Sequence, residues 1–296
     1  MSKLVYSKRF LEHNTGAGHP EGMERLAAII EFLKEKGIEE FEAPLEIGEN
    51  ELLCVHSKKL IEEIKQLSEQ QLSVGDNAFN ENTFEIALLA AGSALKAARL
   101  CKKEFAFSLA RPPGHHAGKD FFGGFCYFNS IAFAIRKIMQ ERELQKAMII
   151  DFDMHHGNGT QNIFADDSKV FYLSLHQDPE NTFPGTGKTE ENNFHIRNVL
   201  LKQGTNEKDY VKIFEENFLE CLDDFRPEIL GVSAGFDILS SNMGVGNRLS
   251  IKNTQIFGRL SGIIKTAQKP TFAVLEGGYA VSTLGESVFG FLNSFE

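Results

Sequence analysis

The sequence predicts an α/β protein built on one parallel sheet, and three observations carry that prediction. Short apolar runs of strand length alternate with stretches of helical periodicity. The runs are apolar at consecutive positions, as strands buried on both faces are. The last four of them pass directly into polar or glycine-rich residues, and in an open parallel sheet ligands collect outside the carboxyl ends of the strands. Those polar tails are therefore expected to converge.

The first helix follows "GHPE": Leu26, Ile29, Ile30 and Leu33 fall at helical spacing, Pro20 suits a first turn and Gly37 a stop. Apolar stripes of the same period recur over 84–100, 129–139, 208–225 (Val211, Phe214, Phe218, Leu222) and 254–267. Between them lie the strand runs "FAFSLA" (105–110), "AMIIDFD" (147–153), "VFYLSL" (170–175), "EILGVSAG" (228–235) and "TFAVLEGG" (271–278). No linker, repeat or low-complexity tract divides the chain, so one domain over 1–296 is expected.

Composition narrows the function. A formal charge of -10 argues against a nucleic-acid binder with a broad basic surface and leans toward cationic small molecules or Lys-rich partners. Cys54, Cys101, Cys126 and Cys221 form no Cys-x-x-Cys pair and follow no signal peptide, which points to a reducing cytoplasm. The longest membrane-span candidate, "IALLAAGSALKAARL", is broken by Lys96 and Arg99, so a soluble protein is expected. The oligomeric state stays open.

The chemistry gathers in "IIDFDMHHGNGT" (149–160). Asp151 and Asp153 share a strand face, and His155 can join them as the strand ends. With a carboxylate from a neighbouring strand end, Asp153 and His155 make a three-ligand site with one open position, the pattern of a catalytic zinc. Asp237, two residues past "ILGVSAG", is the obvious third ligand, and such a set also admits Fe(II), Mn(II) or Co(II). A bland reading, in which the aspartates cap the next helix, leaves a second His-His pair unexplained. That pair stands in "RPPGHHAG", where prolines and glycines fix a loop presenting His115 and His116. Histidine suits both the base and the acid of a hydrolysis, with Asp151 and Asn158 available to orient the two rings. Tyr279, after "LEGG", can donate to a developing oxyanion.

Three rivals are weaker. "GVSAG" (231–235) matches a serine-esterase elbow, but that triad needs a later histidine and the last one is His195. A two-metal ureohydrolase needs another Asp-rich motif, and "ILSSNMGVG" after Asp237 has none. A non-enzymatic acyl-lysine binder needs neither the histidines nor Tyr279.

Taken together, "GHPEGMERL", "RPPGHHAG", "GGFCYFNSIA", "IDFDMHHGNGTQ", "SLHQ", "FPGTG", "VSAGFD" and "LEGGY" resemble the zinc-dependent histone deacetylase superfamily, which includes acetylpolyamine amidohydrolases and acetoin-utilisation proteins. The resemblance covers nearly the whole chain. It implies the arginase-deacetylase fold, a single parallel sheet of about eight strands flanked by helices on both faces. It implies Asp153, His155 and Asp237 as Zn2+ ligands, with Fe2+ or Co2+ as substitutes, His116 as main base and acid backed by Asn158, His115 oriented by Asp151, and Tyr279 polarising the carbonyl. Asn158 in place of Asp is similar to class II and bacterial members. Gly124, Phe125, Phe183 and Gly277 match the acyl-lysine tunnel. Asp151, Ser174 and Leu175, with backbone oxygens of Asp153 and His155, match a structural K+ site, and Arg25 matches the arginine below the active site. The implied reaction is removal of acetyl or other acyl groups from the ε-amine of lysine in proteins, with acetylpolyamines or other small amides as the alternative substrates. The loop "AGFDILSSNMGVG" departs from the family pattern. Gly244 stands where polyamine-specific relatives carry an acidic gatekeeper, and Asp76 is the rim carboxylate that a weak alignment suggests instead.

Overall fold

Alternation along the strands sets the architecture. In the computed structural model, which describes residues 2–102 and 104–295, seven strands form one parallel sheet. They are β1 (Lys3–Val5), β2 (Ala106–Ser108), β3 (Ala147–Asp151), β4 (Val170–Gln177), β5 (Ile196–Leu201), β6 (Ile229–Ala234) and β7 (Thr271–Leu275), in the order β1-β2-β7-β6-β3-β4-β5. Met148 and Ile150 of β3 enter one hydrophobic core while Ala147 and Ile149 enter a second, and Leu230 and Val232 of β6 separate from Ile229 in the same way. A sheet whose successive side chains feed two cores must be covered on both faces, which is why its strands read as continuous apolar runs.

The covering helices are α1 (Met23–Glu35), α2 (Lys58–Gln70), α3 (Thr83–Leu100), α4 (Ser130–Glu141), α5 (Asn158–Phe164), α6 (Glu207–Phe225), α7 (Ile256–Lys265) and α8 (Val281–Asn293). Residues of α1, α6, α7 and α8 fill the first core and those of α2 and α4 the second, while α3 contributes to both. Ser57, Asn129 and Asn206 cap α2, α4 and α6, their side-chain oxygens accepting from Leu60, Ala132 and Asp209 N–H groups. None of the described helices is long and apolar enough to cross a membrane. The four cysteines form no disulfide.

Two strands, β1 and β5, lie outside the runs expected from sequence, and the described residues hold seven strands where about eight were expected. Both are edge strands: β1 has three residues, and β5 leaves Arg197, Val199 and Leu200 partly exposed, so neither carries a two-faced apolar signature. The first helix also begins later than Pro20 suggests, at Met23 with Gly22 as N-cap. The preceding residues are committed elsewhere. Glu21 is fully buried, its carboxylate 2.7 Å from Arg111 Nη2 and 2.9 Å from Arg25 Nη1. Burial alone would push that carboxyl up, but the two guanidinium groups outweigh it and hold it below its usual range.

The topology fixes where a site can form. From β3 the chain proceeds outward through β4 to β5, then returns to place β6 on the other side of β3, with Asp151 opposite Ser233. The carboxyl ends of β3 and β6 therefore meet at the switch point of the sheet, the usual crevice for ligands.

One buried histidine ties the loop after β2 to α4. His56 Nδ1 lies 2.8 Å from the Gly118 carbonyl, to which it donates, and Nε2 accepts the Asn129 N–H at 2.9 Å, a pattern only the neutral ring can make. Burial lowers its pKa from 6.5 to about 4, the Gly118 carbonyl only partly opposing it. With a depressed folded value, the unfolded chain takes up the proton first as pH falls. The stability contributed by His56 is therefore full above about pH 6.5 and declines toward pH 4 by up to ~1.4 kcal/mol per pH unit. The stability gap between the wild type and His56→Gln, read from urea midpoints, is expected to narrow between pH 6.5 and 4.5; a constant gap would contradict the buried neutral ring.

Candidate metal centre and active site

Three ligand atoms meet beyond the ends of β3 and β6. Asp153, His155 and Asp237 are all buried, and each offers an atom within 4.8 Å of the others. Backbone groups aim the carboxylates: Asp153 Oδ2 accepts from Gly277 N at 2.8 Å, and Asp237 Oδ1 accepts from Met154 N at 2.9 Å. His155 Nε2 lies 3.2 Å from the Val245 carbonyl, which can only accept, so the hydrogen belongs on Nε2 and Nδ1 turns toward the carboxylates. Nδ1 stands 3.1 Å from Asp153 Oδ1 and 3.0 Å from Asp237 Oδ2. Asp237 Oδ2 is nonetheless without a hydrogen bond, because the direction of approach is wrong for one.

His155 Nδ1 hydrogen-bonds Asp153 Oδ1 but not Asp237 Oδ2, which converges on the same point without a hydrogen bond, as a ligand atom does. Without a cation, burial disfavours the His155 charge, but Asp153 and Asp237 outweigh it and hold the ring at about 10, while burial and the Asp153 charge raise Asp237 to about 6. A proton thus stands in for a cation. Glycines keep the cradle open: a Cβ on Gly277 would come within 2.7 Å of Asp237 Oδ2, and one on Gly235 within 2.5 Å of Asp153 Cβ. Two buried carboxylates, one imidazole and an orphaned oxygen fit a divalent metal.

The paired histidines stand beside this centre with unlike partners. His116 Nδ1 is 2.9 Å from Asn158 Oδ1, at the start of α5, so the amide oxygen accepts Nδ1–H and leaves the Nε2 lone pair free. His115 Nδ1 is 3.1 Å from Asp151 Oδ2, which also accepts from the Tyr172 hydroxyl at 2.9 Å. The rings are 3.9 Å apart between centroids. Burial and the His115 charge drive His116 well below its ordinary value; burial also opposes charge on His115, but Asp151 and Asp153 overcome it and raise that ring to about 10. Neighbouring imidazoles with pKa values pushed apart are disposed to act as a base and an acid.

Around them lie the residues matched to the tunnel. Phe183, 48% exposed, stands edge-on to His116 at 4.9 Å, and Phe125 stands edge-on to Tyr279 at 5.9 Å. A Cβ on Gly124 would reach 2.5 Å from His116 and 2.7 Å from Phe183, so a side chain there would collide with both. Arg25 is buried beneath, donating to the Gly278 carbonyl at 2.6 Å with its guanidinium 4.9 Å over the Tyr279 ring. Desolvation raises the Tyr279 hydroxyl well above its ordinary value. Gly244 faces open space. Asp76 is exposed, and its carbonyl is 3.1 Å from His19 Nε2, whose ring packs 4.8 Å from Phe125. Ser174 is the β4 partner of Asp151, with Leu175 buried beside it.

Ser233, the serine of "GVSAG", is buried and donates to Glu276 Oε1 at 3.1 Å, a structural contact rather than a nucleophile's. Glu276 itself escaped the sequence reading: Oε2 accepts from Gly114 and His115 N–H groups at 2.8 and 3.2 Å, fixing the histidine loop. Tyr172 escaped too, although the polar alternation Tyr172, Ser174, His176 in a buried strand marks one face as something other than core.

Known proteins resemble the chain in sequence and in fold. A histone deacetylase domain model matches residues 19–295. The chain is 33% identical to a "Probable deacetylase" of Methanothermobacter thermautotrophicus, covering 99% of this chain and 90% of that protein. It is 34% identical to the mouse "Polyamine deacetylase HDAC10", over 90% of this chain and 43% of the relative. Among solved structures, the HDA15 HD domain superposes with a TM-score of 0.92 at 30% identity, covering 99% of this chain and 87% of that one. An acetylpolyamine aminohydrolase from Burkholderia pseudomallei superposes with a TM-score of 0.87 at 26% identity, over 100% and 98%.

Proposed function

Because the chain belongs to the histone deacetylase family, we propose that it is a zinc-dependent amidohydrolase that removes acetyl and other acyl groups from the ε-amine of acyl-lysine in proteins, residues 1–296 acting as one catalytic domain. The observation that carries the reading is the orphaned Asp237 Oδ2 among three converging ligand atoms, with the free nitrogen of the His116–Asn158 pair beside them. Asp153, His155 and Asp237 would hold the zinc, which supplies Lewis acidity toward the acyl carbonyl and toward water. Asp151, Ser174 and Leu175, with the backbone oxygens of Asp153 and His155, would hold K+.

The chain's own groups carry the proton traffic. Neutral at working pH, His116 takes a proton from water through Nε2 as the oxygen adds to the acyl carbon. Tyr279 keeps its hydroxyl hydrogen and donates a hydrogen bond to the oxygen that gains charge. His116 then gives the proton taken from water to the amine nitrogen as the C–N bond breaks, with His115, oriented by Asp151, as the second histidine beside it. Acetate and a free amine leave. Phe125 and Phe183 grip the alkyl stem between flat faces while Gly124 and Gly277 leave it room.

An acetylpolyamine is the second reading, favoured by exposed Asp76 on a loop tied to the tunnel wall: the neighbouring Asn77 accepts the Phe125 N–H at 3.2 Å and donates to the Cys126 carbonyl at 2.9 Å. A carboxylate there would meet a distal ammonium. The test is kcat/KM of the zinc-loaded protein for an acetyl-lysine peptide and for N-acetylputrescine, in the wild type and in Asp76→Asn. The first reading predicts preference for the peptide in both proteins. Preference for the polyamine, lost in Asp76→Asn, would establish the second.

A further inference from the structure

The segment 238–246, where the sequence departs from its family pattern, grips the site twice. One grip is the Val245 carbonyl on His155 Nε2. The other is Asn242, buried although it lies in the short 3-10 turn Ser240–Val245 whose next residue, Met243, is 75% exposed. Its Oδ1 accepts from two consecutive backbone groups, Tyr279 N at 2.7 Å and Ala280 N at 2.8 Å. Its Nδ2 donates to the Leu239 carbonyl at 3.0 Å and lies 3.5 Å from the Phe236 carbonyl. One amide thus bridges the backbone flanking Asp237 to the backbone that carries Tyr279, immediately before α8.

We propose that Asn242 is a positioning residue for the deacylation, setting where Tyr279 stands relative to the Asp237 side of the centre. The proposal rests on the role assigned to Tyr279 above. The physical reason is that Gly277 and Gly278, the latter at φ +127°, give the chain before Tyr279 little steric restraint of its own. Asp153, Phe236 and Arg25 hold the backbone groups of Gly277 and Gly278, and Asn242 Oδ1 holds the two N–H groups that follow, those of Tyr279 and Ala280. An aspartate keeps that acceptor but turns a carboxylate oxygen toward the carbonyls of Leu239 and Phe236; an alanine loses both halves.

The experiment is steady-state kinetics of zinc-loaded Asn242→Ala and Asn242→Asp, alone and combined with Tyr279→Phe, with hydrogen exchange at the amides of Tyr279 and Ala280. Asn242→Ala is expected to lower kcat by about ten- to a hundredfold, the scale of a small misplacement of a catalytic group, with KM changed less than about twofold. Its Tyr279 and Ala280 amides should exchange faster, and Asn242→Asp should fall between alanine and wild type. In the Tyr279→Phe background the alanine effect should shrink to about twofold or less, as it does when two changes act through one group. Wild-type kcat in Asn242→Ala, or an equal loss in both backgrounds, would overturn the proposal. If the alanine variant does not fold, the same coupling is read with aspartate. A fully active Tyr279→Phe overturns the role of Tyr279 and this proposal together, whereas an impaired Tyr279→Phe beside a normal Asn242→Ala overturns this proposal alone.

Discussion

Asp237→Ala is expected to lose zinc and activity together, while leaving the metal-free protein folded. Two carboxylates and one imidazole share the centre, and the substitution removes the carboxylate whose Oδ2 has no hydrogen bond. Loss of groups that merely support a ligand costs about 10–100-fold in metal affinity, so loss of a ligand itself should cost at least about a hundredfold. The metal-free protein behaves otherwise. There Asp237 repels Asp153 but also faces the charged His155 and accepts the Met154 N–H, so deleting it relieves one contact and loses two, a change confined to the centre. Thermal melting with and without zinc separates the two effects: the wild type should gain Tm on zinc addition, as any protein does whose folded state alone binds a ligand, and Asp237→Ala should gain almost none. An unchanged gain in the variant would remove Asp237 from the ligand set.

His116→Ala should slow turnover by at least about a hundredfold with zinc content and Tm gain intact. The direction follows from the geometry: Asn158 takes the Nδ1 hydrogen, and burial beside the His115 charge keeps the ring neutral, so it is present as a base at neutral pH. The acid limb of the kcat/KM profile should accordingly lie below 6.5. Near-wild-type turnover in His116→Ala, or an acid limb above 7, would transfer the role of base to another group.

The sheet was legible in the sequence where its strands are covered on both faces, because continuous apolar runs have few other uses in a chain of this size. β1 and β5 were not, since edge strands lack that signature. The same contrast holds in the site. Asp153, His155, Asp237 and the His115–His116 pair stand out because charged and imidazole groups next to apolar runs have no ordinary packing role. Glu276, Tyr172 and Asn242 do not stand out. Each acts by holding a backbone group or another side chain across a large gap in sequence, as Asn242 does with Tyr279 and Glu276 with Gly114, and only the folded topology brings those partners together. The surroundings of Asp76 were the least legible part, because His19 and Asn77 link it to Phe125, contacts no local pattern announces.

The most direct test of the central claim is a metal titration followed by acetate release. Protein stripped with a chelator is mixed with an acetyl-lysine peptide and N-acetylputrescine, and Zn2+ is added stepwise. The predicted result is no acetate without metal, then release from at least one substrate that rises with zinc and levels off at about one equivalent per chain, in keeping with one Asp153–His155–Asp237 centre. Full activity in the stripped protein, or a stoichiometric zinc complex that releases acetate from neither substrate, would contradict it.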